Sequence, residues 1–91
     1  MKENFKKENL KRLNYLIGHL GGVKKMLEED RYCIDIIQQN LGVISALYKL
    51  NERILKGHFD GCVSDAIKFG SKKERERVLD ELVEVFKKSK I

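Results

Sequence analysis

The sequence predicts an all-α fold of three helices in a single domain over residues 1–91. None of the 91 residues is proline. Apolar positions recur with helical spacing, and capping signals divide the chain at only two points. The first helix is expected from about Asn4 to Glu29, with Leu10, Leu13, Ile17, Leu20 and Leu27 on one stripe and Leu16 and Val23 beside it. Gly18, Gly21 and Gly22 weaken it locally and mark either a bend or the close approach of another backbone. Glu28, Glu29 and Asp30 make an acidic break, in which Asp30 is a candidate N-cap for the second helix. From about Arg31 to Lys68 the chain reads as one long helix, interrupted by Gly42, Gly57 and Gly61 and ended by Gly70. Ser71-Lys72-Lys73-Glu74 is a capping box that opens a third helix, whose apolar face is Val78, Leu79, Leu82, Val83 and Phe86. The tail from Lys87 to Lys90 is expected to fray.

So short a chain buries a thin core, and self-association is a common remedy. No apolar run approaches the roughly 18 residues that span a bilayer, and the basic N-terminus lacks the apolar stretch and cleavage site of a secretory signal. The expected location is the cytosol, where Cys33 and Cys62 are free thiols available for metal or redox chemistry. Charge is uneven. Residues 1–25 carry seven Lys and Arg against two Glu, matching the +5 of the whole chain. A basic face of this kind suits a polyanion such as DNA, or is simply a solvated helix face. It lacks the bulky apolar side of a membrane-lying helix. The long middle helix does not fit a helix-turn-helix, which needs short helices and a tight turn. No Ser, His and Asp arrangement or phosphate-cradling loop suggests an enzyme.

The residues that carry chemistry are Cys33, His58 and Cys62. At 100° per residue His58 and Cys62 lie about −20° and +20° from Cys33, so all three share one stripe of the middle helix. Ile37, Leu41, Ile44, Tyr48 and Leu55 fall on that stripe, which is expected to be buried. At 1.5 Å per residue Cys33 is about 37 Å from His58 along a continuous helix, too far to share an ion within one chain. His58 and Cys62, at i and i+4, chelate together. A two-fold axis between antiparallel helices brings Cys33 of one chain beside His58 and Cys62 of the other. Against this stands the plain alternative that the cysteines are small core residues and the histidine complements a helix dipole. Two thiolates and one imidazole suit Cu(I) best; Zn(II) wants a fourth ligand, and Ni(II) prefers more nitrogen.

Tyr32-Cys33-Ile34-Asp35, Gly57-His58-Phe59-Asp60-Gly61-Cys62-Val63, and Arg12-Leu13 followed by Gly18-His19-Leu20-Gly21-Gly22 resemble the CsoR family of copper-sensing bacterial repressors. Nickel/cobalt, formaldehyde and persulfide sensors belong to the same family. The resemblance covers residues 8–86. It implies an all-helical dimer built on an antiparallel four-helix bundle and assembled as a dimer of dimers. Such a protein binds operator DNA when metal-free and releases it when its ligand binds. Carried over, Cys33 of one subunit with His58 and Cys62 of its mate are the Cu(I) ligands, and Tyr32 and Glu81 are outer groups that read the orientation of His58. Arg12 and Lys49 fall where the family places cations for DNA, with Lys6, Lys7, Lys11, Lys24 and Lys25 adding to the basic face. Two departures stand out. Ile17 occupies a position where relatives often carry arginine, and the connection from Cys62 to Glu81 is a little longer than usual. Among the subtypes, nickel and cobalt sensors carry a histidine about where Met1 stands, formaldehyde sensors have proline where Lys2 stands, and persulfide sensors lack the counterpart of His58. The pattern favours copper, with a thiol-based or other-metal (nickel, zinc) sensor of the same fold as the alternative.

Overall fold

A computed structural model describes residues 2–88. The elements are α1 (Glu3–Glu28), α2 (Cys33–His58), one π-helical turn (Phe59–Val63), α3 (Ser64–Phe69) and α4 (Lys72–Lys88). α2, the π turn and α3 succeed one another without a break, with His58, Val63 and Ser64 all holding right-handed helical dihedrals. The long middle helix is therefore present from Cys33 to Phe69, but its hydrogen-bond register changes once, at the π turn. α4 extends through Lys88, and the rest of the tail expected to fray lies outside the described residues. Contacts divide the chain into two compact units, one up to Leu55 and one from Lys56 onward.

In the first unit α1 and α2 form an antiparallel hairpin. Leu16 is buried with Val43 and Leu50, and Ala46 and Ile54 pack against them. Nearer the connection, His19 Nε2–H donates to Oε1 of Gln39 at 2.8 Å. The buried positions recur in steps of seven, Leu16 and Val23 on α1 and Ile36, Val43 and Leu50 on α2. Seven residues are two helical turns, so each helix offers the other one narrow seam. This seam is not the face that periodicity singled out. Leu10, Leu13, Ile17, Leu20 and Leu27 of α1, and Ile37, Leu41, Ile44 and Tyr48 of α2, are 38% to 61% exposed. The stripe expected to be buried is thus open in the single chain. Both helices are apolar on two faces, and pairing two helices covers only one face of each.

The connection between the helices corrects a second expectation. Asp30 does not cap α2, which starts at Cys33; it ends α1. Its φ of 54° is left-handed, its N–H donates to the carbonyl of Leu27 at 3.2 Å, and Arg31 N–H donates to that of Met26 at 3.0 Å. These two bonds make a Schellman motif, in which the left-handed position usually belongs to glycine. α1 also continues unbroken through Gly18, Gly21 and Gly22. A Cβ at any of the three would meet nothing within 4 Å in this chain.

In the second unit α4 packs against the π turn and α3, and Val63, Val78 and Leu82 are buried. Leu79, Val83 and Phe86, expected on the same α4 face, are about half exposed or more. Ser71 caps α4 as read: Glu74 N–H donates to Ser71 Oγ at 3.2 Å, the N-cap half of the box, and the helix begins with Arg75 N–H on the Ser71 carbonyl at 3.0 Å. Gly70 ends α3, but not through a left-handed turn, since its φ and ψ of −79° and 162° suit any residue. The requirement is space. A Cβ there would lie 2.5 Å from the Ala66 carbonyl oxygen and 2.7 Å from Glu74 Oε2. No helix among the described residues is long and apolar enough to cross a membrane.

Two substitutions test these turns. Asp30→Gly relieves a left-handed L-residue, a conformation that costs roughly 1 to 2 kcal/mol at its most unfavourable. It should raise the midpoint of thermal unfolding by several degrees, and Asp30→Val should lower it. Gly70→Ala should lower the midpoint without changing helix content at low temperature, as read by circular dichroism.

Candidate functional site

Cys33 is the first residue of α2 and His58 the last. Both cysteines are free thiols and both are exposed. His58 immediately precedes the π turn, and Cys62 lies within it. A π turn closes its hydrogen bond at i+5, so position i+4 falls just short of a full turn rather than just past it. His58 and Cys62 therefore still share a side of the helix. Together they line a cleft of about 450 Å³ in the second unit, with Asp65, Ala66, Phe69, Gly70, Glu74, Arg77, Val78 and Glu81.

The composition of this cleft is suited to a soft cation. One imidazole and one thiol line it together, and the ligating form of a cysteine is its thiolate. Among the described residues no three His, Cys, Asp or Glu side chains gather into a set able to hold an ion. Cys33, at the other end of α2, does not line this cleft. Glu81 lines the same cleft, and its Oε1 accepts from Nη1 of Arg77 at 3.4 Å. Tyr32 precedes α2, is 66% exposed, and its carbonyl accepts the Ile36 N–H at 3.2 Å. Tyr32 and Cys33 belong to the first unit, and the cleft belongs to the second.

A separate groove of about 560 Å³ lies in the first unit, between the start of α1 and the second half of α2. Lys11 and Arg12 face it from α1, and Lys49 from α2, three of the cations read from the sequence. Glu8, Tyr15 and Arg53 complete its polar lining, over Leu16, Ala46 and Leu50. Lys6, Lys7 and Lys24 are exposed on α1 outside this lining, and Lys25 pairs with Glu29 at 3.9 Å. Arg53 was not among the cations singled out in the sequence. Its signal was available: it lies four residues beyond Lys49, so it faces wherever Lys49 faces.

Comparison with known proteins decides the family. The family model described as metal-sensitive transcriptional repressor matches residues 5–88. The chain belongs to this family. Its relatives include the copper-sensing transcriptional repressor CsoR of Bacillus subtilis (strain 168), 40% identical over 77 residues, which are 85% of this chain and 73% of that one. The protein of the same name from Mycobacterium ulcerans (strain Agy99) is 37% identical over 82 residues, 90% of this chain and 68% of that one. Among solved structures, the copper-sensing repressor CsoR with Cu(I) from Geobacillus thermodenitrificans NG80-2 matches with a TM-score of 0.84 and 34% identity. That match covers 97% of this chain and 92% of the other. The resemblance read from the motifs is borne out, as is the all-α fold of three principal helices. A family of transcriptional repressors is not a class of enzymes.

Proposed function

We propose that this member of the family is a copper(I)-responsive transcriptional repressor of the cytosol, which holds operator DNA when metal-free and releases it on binding Cu(I). The observation that carries the reading is the pairing of His58 and Cys62 in one cleft of a chain similar to a CsoR solved with Cu(I). The ligands are Cys33 of one chain with His58 and Cys62 of a second. The assembly that joins them is a dimer in which two α1–α2 hairpins cover each other's outward apolar faces as an antiparallel four-helix bundle, and two such dimers form the repressor. Support for it comes from the eleven large apolar residues of the hairpin that stand 38% to 61% exposed, since extended exposed apolar surface marks an interaction site.

In this reading bound Cu(I) supplies a soft cation that draws two thiolates and an imidazole together. The residues of the chain do the rest. The ring nitrogen of His58 that is not a ligand carries a proton and donates it in a hydrogen bond to an outer group, either Glu81, which lines the cleft, or Tyr32. When Glu81 accepts that bond, α4 moves with it, and its buried Val78 and Leu82 carry the change through the core of the second unit. A coupling of roughly 1 to 3 kcal/mol between the metal and DNA sites is ordinary for such devices. The DNA itself lies against the basic face, with Arg12 and Lys49 as principal contacts, Lys11 beside them in the groove, and Lys6, Lys7, Lys24 and Lys25 adding longer-range attraction.

Mixing chains tests the shared site. Cys33→Ala chains and His58→Ala, Cys62→Ala chains should each bind Cu(I) poorly, while their heterodimer should regain one tight site, read by titration against a competing chelator. No recovery on mixing would reject the shared site. Replacing Arg12 and Lys49 together by Ala should weaken operator binding and flatten its salt dependence by roughly one unit of log slope per lost phosphate contact. Cu(I) affinity should change little.

A further inference from the structure

The groove of the first unit gathers cations that form no ion pair among the described residues. Four cations, Lys11, Arg12, Lys49 and Arg53, line it together with one carboxylate, Glu8. Among the described residues the ion pairs are Lys25 with Glu29, Arg77 with Glu81, and Lys87 with Glu84. None of the four cations is in one, and neither is Glu8. The hairpin holds four like charges on the walls of one groove with no carboxylate within salt-bridge distance, an arrangement that opposes folding by self-repulsion. Such a cluster is stabilised by an anion from outside.

The shape of the groove narrows the choice of anion. The cations come from both walls, Lys11 and Arg12 on consecutive residues of α1, Lys49 and Arg53 one turn apart on α2. One turn of helix is about 5.4 Å, of the same order as the separation of neighbouring phosphates along a nucleic-acid strand, whose axial step of roughly 3.4 Å is lengthened by the rotation between successive nucleotides about the duplex axis. The pair Lys49 and Arg53 is so spaced as to suit consecutive phosphates of one strand, with Lys11 and Arg12 facing them from the other wall. Tyr15 adds a hydroxyl donor to the same lining, and Leu16, Ala46 and Leu50 give the groove an apolar floor that weakens solvent screening.

We propose that Arg53, with Tyr15, completes a phosphate-binding groove for one strand of the DNA backbone, and that Glu8 opposes the strand within the same groove. The inference rests on the DNA reading above and extends it to residues that reading does not include. Arg53 contributes a full phosphate contact, and its planar fork allows two parallel hydrogen bonds to one phosphate. Tyr15 contributes a neutral hydrogen bond, which releases no counterion. Glu8 holds down affinity for any phosphate backbone.

The three roles give three different signatures with a fluorescein-labelled 30-base-pair duplex of mixed sequence, a sequence-independent probe, titrated by anisotropy from about 50 to 200 mM salt. Arg53→Gln should weaken binding severalfold or more at the low-salt end and reduce the slope of log affinity against log salt by about 0.9, while Arg53→Lys should retain the slope. Tyr15→Phe should weaken binding at every salt concentration and leave the slope unchanged. Glu8→Gln should tighten binding. Glu8, Arg12, Tyr15 and Arg53 are all exposed, and unchanged circular dichroism would establish that the variants fold. A wild-type protein whose duplex binding is insensitive to salt would overturn the DNA reading itself. Salt-dependent wild-type binding that weakens in Arg12→Ala, with the Arg53→Gln slope unaltered or the Glu8→Gln affinity unraised, would overturn this inference alone.

Discussion

Everything in the first unit depends on one seam. Leu16, Val43 and Leu50 are the buried cluster that joins α1 to α2, with Ala46 and Ile54 at its margin. A seam with a seven-residue period is narrow, because each two turns of helix contribute only one or two side chains to it. Truncating one of its large members to alanine removes about 2 to 5 kcal/mol, comparable with much of the stability of a domain this small. The hairpin is therefore thinly held. Beyond these and the buried Val23 and Ile36, most of its large apolar side chains lie on the outer faces of both helices, where they stabilise little until something covers them. The same economy explains the terminus of α1: with so little tertiary burial, the chain reversal relies on local hydrogen bonds, those of Asp30 and Arg31 to Leu27 and Met26.

Much of this was legible in the sequence, and the misreadings have a common cause. Helix number, the long middle element and the Ser71 capping box arise from local signals, and local signals act within a few residues. Burial does not. Periodicity identified the stripe through Ile37, Leu41, Ile44 and Tyr48 as apolar but could not say which chain covers it, and it passed over Ile36, Val43 and Leu50, the residues buried within the hairpin. A helix with two apolar faces has a broad, weakly directed pattern, in which the intramolecular seam is the narrower part. Asp30 misled for a related reason. Aspartate favours both the N-cap and the left-handed position, and the choice is set by three residues, Asp30, Arg31 and Tyr32, that separate the Glu29 cap of α1 from the start of α2.

The candidate site was legible in kind but not in detail. Cys33, His58 and Cys62 were picked by residue type and spacing, and the cleft brings two of them together with Glu81. The π turn was not foreseen. It carries Cys62 at the one point where the middle helix changes register, beside Gly61, where an added Cβ would meet nothing within 4 Å. No propensity scale distinguishes i→i+5 from i→i+4 bonding over five residues, and π turns persist mainly where function requires them. Arg53 was missed because charge was counted along the chain, and the groove is formed across it.

Placing the ligands at the two ends of α2 has a consequence for control. Cys33 and His58 begin and end one helix, so in the proposed dimer no chain forms a site without the other, and both ends of α2 enter every metal-binding event. The helix between them bears Lys49 and Arg53 on one side and the outward apolar stripe on another. In the proposed repressor a change imposed at its ends is therefore imposed on an element that would face DNA and a second chain at once. Close packing resists gradual deformation, so such an element responds by exchanging one arrangement for another. Arg77 supplies a starting point for that exchange. It holds Glu81 at 3.4 Å within α4, through an exposed i, i+4 pair of a kind worth only about 0.3 to 0.5 kcal/mol. A hydrogen bond from a ligated His58, charge-assisted at the carboxylate, is stronger than that. In the proposed device the carboxylate is thus held loosely enough to be taken by a ligated His58, and a modest coupling energy suffices to exchange one arrangement for the other.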